Sequence, residues 1–266
     1  MTFSEKISLG HAAFKRGLSL AWCNKMVVFC SVVGSFLLAI FAGFLNPYLC
    51  NFLQALEPKY LFFVFVLAAL AFLRLLPILI ITTFLRFFFA QLRGEPQPFF
   101  ACFKFNRTVG WQIVQLGLLD ALVMALIFFP ALLYVIFGWQ LIFLNAFLFL
   151  FLFLSDILLS HITPLFIIDG VPSVWIAIQR GAALLWEFLL PFFVISFESM
   201  ILFVIGNVVL SRLRVFFSEI ANIMSNHDAI FLIFCVGFFF MLFYTLIVLT
   251  ALAANASLYD AKKTKS

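Results

Sequence analysis

The chain has 266 residues, of which 66% are apolar, 19% are aromatic and 10% are charged. Soluble domains contain about 25% charged residues, so this composition excludes a soluble globular domain and predicts an all-α integral membrane protein. The net charge of +5 is spread over predicted loops, which argues against a nucleic-acid partner. The five cysteines show no C-x-x-C spacing and no histidine partners, so no metal site or cofactor is predicted.

The first predicted element is an amphipathic helix over residues 3–24, with Ser4 as its N-cap. Apolar side chains recur along it at helical spacing, with charged side chains between them. The apolar set is Phe3, Ile7, Phe14, Leu18 and Trp22. This pattern is typical of a helix that lies in the headgroup region of a membrane. The alternative is a frayed and soluble N-terminus.

Part of this helix is repeated later in the chain. Residues 13–22 and 177–186 both read Ala-x-x-Arg-Gly-x-x-Leu-x-Trp. This match indicates an internal repeat. The alternative is chance, because Ala and Leu match easily in so apolar a chain. We expect the small residues to pack each helix closely on the two spans that follow it.

The apolar runs predict about six transmembrane spans at roughly 20 residues each. The spans are expected at residues 27–45, 60–85, 113–137, 141–168, 188–210 and 230–254. Together they would form a single polytopic membrane domain over residues 1–266. Pro77 is expected to kink the second span, and Pro164 to break or bend the fourth near Thr163.

The longer polar stretches predict further interfacial helices. After the second span, a turn at residues 94–98 is followed by a surface helix from Phe99 to Trp111, which we interpret as a degenerate middle copy of the repeat. Residues 211–228 are expected to form a long loop that includes another interfacial helix. Between the fourth and fifth spans, residues 169–173 predict a turn in which Ser173 caps the second repeated helix.

The basic residues predict the orientation of the spans. With the N-terminus inside, twelve Lys and Arg residues fall on the inner side and three on the outer side. Loops that remain in the cytoplasm carry an excess of Lys and Arg, so both termini are expected to be cytoplasmic.

The order of these elements resembles a known family. Gly94-Glu95-Pro96 follows the first two spans, and Thr163-Pro164-Leu165 precedes the second repeated helix. This order resembles uncharacterised bacterial six-span membrane proteins related to the membrane domain of glycerophosphodiester phosphodiesterases. Those relatives often have Ser where Gly17 and Gly181 stand here. The resemblance implies a multi-pass protein of the cell inner membrane and carries over no catalytic residue, because the hydrolase chemistry of that family belongs to a separate soluble domain.

Ionisable side chains inside the predicted spans form a candidate polar cluster. Its members are Arg74, Asp120, Asp156, His161 and Glu198. A lone charge at the bilayer centre costs on the order of 3 kcal/mol, so we expect Arg74 to pair with one or two of the acids. The alternative is that Arg74 satisfies the carbonyl freed by Pro77 and that the acids are protonated. His161 is expected to be a hydrogen-bonded helix residue.

No motif of a membrane enzyme is present, so no catalytic residue is predicted. The sequence favours a non-enzymatic membrane protein that organises lipid or protein partners. Arg16, Arg107 and Arg180 are its candidate contacts with anionic headgroups of the bilayer. A small permease that uses the intramembrane charges is the alternative, and a lipid-modifying enzyme is a third hypothesis with no supporting motif.

Overall fold

A computed structural model describes residues 1–37, 40, 59–95, 97–137, 150–151, 154–221 and 226–263. Over these residues all regular structure is helical, as the composition predicts. Three of the described helices are long and apolar enough to cross a membrane, or four if a bent pair at the N-terminus is one span. The described part of the chain therefore has the helices of a membrane protein.

Helix α1 extends over Phe3–Cys23, close to its predicted bounds. Its N-cap is Thr2, so the prediction of Ser4 was wrong. The Thr2 hydroxyl accepts a hydrogen bond from the Glu5 N–H, and the Glu5 carboxylate accepts one from the Thr2 N–H. This reciprocal capping box pairs the N–H groups of Thr2 and Glu5, two donors that have no partner within the helix. A cap at Ser4 would leave both donors unpaired.

Asn24 ends α1 and begins a sharp change of direction. Its side-chain amide donates to the Leu20 carbonyl at 2.7 Å, which satisfies one of the last free acceptors of the helix. Helix α2, Lys25–Leu37, leaves at a bend of 81°. The rest of the first predicted span, apart from residue 40, lies outside the described residues.

Helix α3 covers Lys59–Leu92 and includes Pro77, and it continues past its predicted end at residue 85. A 3₁₀ helix at Phe99–Phe103 and helix α4 at Arg107–Phe137 follow. The predicted surface helix from Phe99 to Trp111 was therefore wrong. The Asn106 side chain accepts a hydrogen bond from the Val109 N–H at 2.8 Å, and this local cap starts a new helix there.

Helix α5 covers Leu154–Ile168 and contains a π-helical segment at Ile157–Ile162. The Thr163 hydroxyl and the Thr163 N–H both donate to the Leu158 carbonyl, five residues earlier. Pro164 cannot donate the next backbone hydrogen bond, and a π-bulge is one way in which a helix absorbs such a defect. Thr163 has helical torsion angles (φ −61°, ψ −39°), so the helix does not break there as predicted but is widened in the turns before it.

Helix α6 covers Val174–Ala221, with non-helical torsion angles at Phe188 (φ −111°, ψ 18°). The Ser173 hydroxyl accepts a hydrogen bond from the Trp175 N–H at 3.2 Å, so the predicted cap is confirmed. Helix α7 covers Asn226–Lys263. The predicted loop at 211–228 was wrong, because its first residues continue α6 and its last residues begin α7.

The chain divides into two compact units. Unit 1 contains Met1–Asn51 and Leu190–Ser266, and unit 2 contains Phe52–Leu189. The prediction of a single polytopic domain stays a prediction. In unit 2, buried apolar side chains from α3, α4, α5 and the start of α6 form one core: Ile78, Ile113, Leu116, Leu159, Ile167 and Val174. In unit 1, α1 packs against α7, whose residues 252–259 are all buried.

Candidate functional site

The small residues of α1 form its packing face. Gly10, Ala13, Gly17 and Ala21 are buried, whereas Trp22 is 63% exposed. A Cβ atom at Gly17 would lie 2.6 Å from both the Ala254 nitrogen and the Thr250 carbonyl oxygen of α7. Because real Cβ atoms essentially never approach so closely, only glycine permits this contact between the two backbones.

The second copy of the repeated sequence has the same pattern of burial. Ala177 and Gly181 are buried, while Arg180 and Trp186 are exposed, as at the matching positions of α1. A Cβ atom at Gly181 would lie 2.9 Å from a methyl carbon of Leu158 on α5. Each glycine thus allows its helix to pack closely on another helix of the same unit.

The predicted packing partners of the two repeated helices were wrong. The sequence placed each helix on the two spans that follow it. Gly17 packs instead on α7, and Gly181 packs on α5, which precedes it in the chain. Small residues reveal that a helix face is suited to close approach, but the sequence of that face does not identify the partner.

A histidine and a glutamate join α1 to α6 in unit 1. His11 Nδ1 lies 2.5 Å from Glu198 Oε1, with side-chain exposures of 50% and 21%. Next to this pair, a Cβ atom at Gly10 would lie 2.9 Å from the Pro191 carbonyl oxygen, so the two backbones are also close. The other Glu198 oxygen, Oε2, is buried and has no hydrogen-bond partner among the described residues, and the same holds for Ser199 Oγ. The pair can share one proton between nitrogen and oxygen, and the free oxygen can accept another hydrogen bond.

An apolar groove lies near the bend between α1 and α2 in unit 1. Its volume is about 590 Å³, and side chains of α2, α6 and α7 form its walls. Representative wall residues are Phe29, Leu210, Phe239, Leu242 and Leu246. Trp22 and Lys25 line it beside the bend, and among the side chains that the structure describes Lys25 is the one charged member of the lining. The groove can therefore take an apolar chain with an anionic group at one end.

Polar contacts hold one end of unit 2 together. Arg93 donates to an Asp169 carboxylate oxygen at 3.3 Å and lies over the Phe89 ring. The buried Gln112 side chain donates to the Val171 carbonyl at 2.8 Å. The end of α3, the start of α4 and the turn before α6 therefore meet, and the predicted topology places all three on the inner side.

The 3₁₀ helix at Phe99–Phe103 lies against the same part of α3. Arg86 of α3 donates to the Lys104 carbonyl at 2.6 Å. Burial raises the pKa of the Cys102 thiol, and the nearby Arg86 guanidinium partly offsets that rise. This thiol therefore has little thiolate character and is suited to a packing role.

The predicted polar cluster is distributed over several helices. In unit 2, Asp120 of α4 is buried, and Asp156 of α5 accepts a hydrogen bond from Ser160 at 3.1 Å. The Nδ1 atom of His161 is buried and has no hydrogen-bond partner among the described residues, so the expected hydrogen bond is not seen at that nitrogen. The side chain of Arg74 lies outside the described side chains. Its pairing with an acid stays a prediction.

Glu198 has a partner that the sequence did not identify. The amino-acid sequence did contain one signal, because His11 lies four residues after Ile7 and seven before Leu18, on the apolar stripe of α1. A polar side chain on such a stripe requires a partner or solvent. The two residues are 187 positions apart in the sequence, so no local sequence pattern could identify the partner.

The three predicted headgroup contacts are all exposed. Arg16 lies on α1, Arg107 begins α4, and Arg180 lies in the first part of α6. Exposure leaves each guanidinium able to meet a phosphate, and the contact itself stays a prediction. Among the described residues, no group of three or more His, Cys, Asp or Glu side chains could hold a metal ion.

Comparison with known proteins gives no relative. No protein-family model, no curated protein and no solved structure matches this chain.

Proposed function

We propose that this protein is a non-enzymatic, multi-pass protein of the cell inner membrane that binds anionic lipids through its surface helices. It has six spans, and both termini lie in the cytoplasm. The resemblance to six-span bacterial membrane proteins supports this arrangement. The close contact of Gly17 with Ala254 also supports it, because it brings residues near both chain ends to the same part of unit 1.

The bend of 81° after α1 is the observation that carries the proposal. A helix that meets a membrane-spanning helix at nearly a right angle can lie along the membrane surface. The exposed Arg16 and Trp22 are the residue types that contact phosphates and the headgroup layer. The matching exposure of Arg180 and Trp186 supports an internal repeat in which two helices have this role.

Lipid-dependent stability tests the proposal. Delipidated protein is titrated with phosphatidylglycerol or with phosphatidylcholine, and the melting temperature is measured in detergent. A ligand at 100 times its Kd stabilises the folded state by about 2.7 kcal/mol. We expect the anionic lipid to raise the melting temperature more, and the difference to shrink as salt screens the charges. Equal stabilisation by both lipids would contradict the proposal.

The double variant Arg16→Gln with Arg180→Gln tests whether the two surface helices cause the larger stabilisation by anionic lipid. We expect it to reduce the difference between the two lipids. Arg212→Gln is the matched control, because Arg212 is also exposed but lies on the predicted outer side. If the control removes as much of the difference as the double variant, the surface helices are not the binding elements.

The pair formed by His11 and Glu198 favours a small permease as a second candidate. Glu198 has one buried oxygen free to accept a hydrogen bond, and ionisable groups within membrane helices often lie on ion or proton pathways. Proteoliposomes loaded with a pH-sensitive dye distinguish the candidates. Proton flux that is lost in Glu198→Gln would favour the permease, and flux equal to that of empty liposomes would favour the lipid-binding function.

A further inference from the structure

The groove of unit 1 has the dimensions of a site for one lipid chain. Along α7 it extends from Phe238 to Leu246, a distance of about 12 Å at 1.5 Å per residue. Half of a hydrocarbon core about 30 Å thick is roughly 15 Å, so the groove is nearly as deep as one leaflet. Its volume of about 590 Å³ lies within the usual range of roughly 300–1,000 Å³ for ligand pockets.

The walls of the groove are apolar, with a lysine beside them. An acyl chain needs no hydrogen-bond partner, so it can lie against such walls along its whole length. A phospholipid also provides an anionic group for Lys25, which the apolar face of a helix from a second copy of this protein would not provide.

The charge at the groove identifies the class of headgroup. Lys25 is exposed and is the first residue of α2, so its ammonium group lies where the positive end of the helix dipole also favours an anion. Trp22, 63% exposed, lies three residues earlier and is the residue type that anchors at the headgroup level. The lining thus combines a cation and an interfacial aromatic side chain beside the bend with apolar walls, which suits a phosphate group joined to an acyl chain.

We propose that this groove binds one acyl chain of an anionic phospholipid of the inner leaflet, with the lipid phosphate on Lys25. The site rests on the proposed function and deepens it, because it identifies one position where a lipid is held individually. The surface helices would attract anionic lipid in general, and the groove would retain a single molecule.

Native mass spectrometry of the full chain in mild detergent tests the site, with phosphatidylglycerol as the probe. We expect the unaltered protein to retain one tightly bound phosphatidylglycerol. Leu242→Trp should fill the groove and weaken this binding at least fivefold. Val248→Trp is the matched control, because Val248 lies on the same helix, is 54% exposed and is not part of the groove. Unchanged binding by Leu242→Trp, or an equal loss in Val248→Trp, would overturn the site.

Lys25→Gln provides a second variant if Leu242→Trp does not fold. It should reduce the affinity for phosphatidylglycerol about tenfold. It should reduce the affinity for phosphatidylcholine less, because the choline ammonium of that lipid already offsets its phosphate charge, while Lys15→Gln should change neither. Glycerol phosphate, which lacks acyl chains, should not displace the bound lipid. Displacement by glycerol phosphate, or equal effects of the two lysine variants, would contradict the proposal.

Failure of the groove can be distinguished from failure of the proposed function. If phosphatidylglycerol still stabilises the unaltered protein more than phosphatidylcholine does, but Leu242→Trp binds it normally, only the groove is wrong. If the two lipids stabilise the protein equally, the general preference for anionic lipid is wrong as well.

Discussion

Substitution of Gly17 by alanine should separate α1 from α7 and destabilise unit 1. The added Cβ atom would lie 2.6 Å from backbone atoms of α7, whereas ordinary van der Waals contact begins at 3.4 Å. The helices must therefore move apart by about 0.8 Å. A gap of 0.5–1 Å already removes about a quarter to a half of each dispersion contact. The neighbouring contacts of Ala13, Phe14 and Ala21 would share this loss.

The expected net destabilisation of Gly17→Ala is about 2 kcal/mol. Overpacking typically costs about 1–3 kcal/mol, and the upper end applies here because the added Cβ atom meets backbone atoms that cannot rotate away. Alanine regains up to about 1 kcal/mol of helix propensity. At about 2–4 °C per kcal/mol, the melting temperature should fall by roughly 4–8 °C. Thermal unfolding in detergent, followed by circular dichroism at a helical wavelength, measures this change.

Two other glycines provide the comparisons. Gly34 of α2 has no atom of the described residues within 4 Å of an added Cβ, so Gly34→Ala should leave the melting temperature unchanged or raise it slightly. The three atoms nearest to a Cβ at Gly181 belong to side chains, and the closest is a terminal methyl of Leu158 at 2.9 Å, so Gly181→Ala should cost less than Gly17→Ala. If Gly17→Ala melts at the same temperature as Gly34→Ala, the reasoning about backbone contact is wrong.

The remaining predictions concern topology and charge. A cysteine at Asn226 should react with a membrane-impermeant reagent in intact cells and one at Gln97 should not; the reverse pattern would refute the topology. Arg74→Leu should lower the melting temperature, and leucine at its partner acid should restore part of the loss; no rescue by any acid would exclude the pairing. A double-mutant cycle between His11→Ala and Glu198→Gln should give a coupling energy of roughly 0.2–1 kcal/mol, because His11 is half-exposed; additive effects would show that the contact contributes nothing.

Local sequence patterns predicted most helix positions and failed at several helix ends. Helical periodicity located α1, although its cap is Thr2 and not Ser4, and the capping residue Ser173 located the start of α6. The predicted end of the fifth span at residue 210 relied on the polar residues that follow, yet α6 continues to Ala221. A membrane limits the length of the apolar part of a helix, but it does not end the helix, because the backbone can continue its hydrogen bonds in water.

The candidate site depended on contacts that no local pattern contains. Arg16 and Arg180 could be chosen from the repeated sequence, and both are exposed. The partner of Glu198 could not be chosen, because the depth of the charges pointed to Arg74, whereas His11 lies 187 positions away in the sequence. The groove could not be predicted either, because its walls come from apolar runs that are similar to one another in sequence.

The packing of α1 on α7 has a consequence for the order of synthesis. Gly17 and Ala254 are 237 residues apart, so at about 5–20 residues per second α1 leaves the ribosome roughly 10–50 s before its binding surface exists. Unit 2 is continuous in sequence and needs no later segment to complete its core. Unit 1 combines Met1–Asn51 with Leu190–Ser266 and cannot close before α7 has been made. During that interval the glycine face of α1 has no α7 to cover it, so α1 is made before the other described helices and is among the last of them to reach its final contacts.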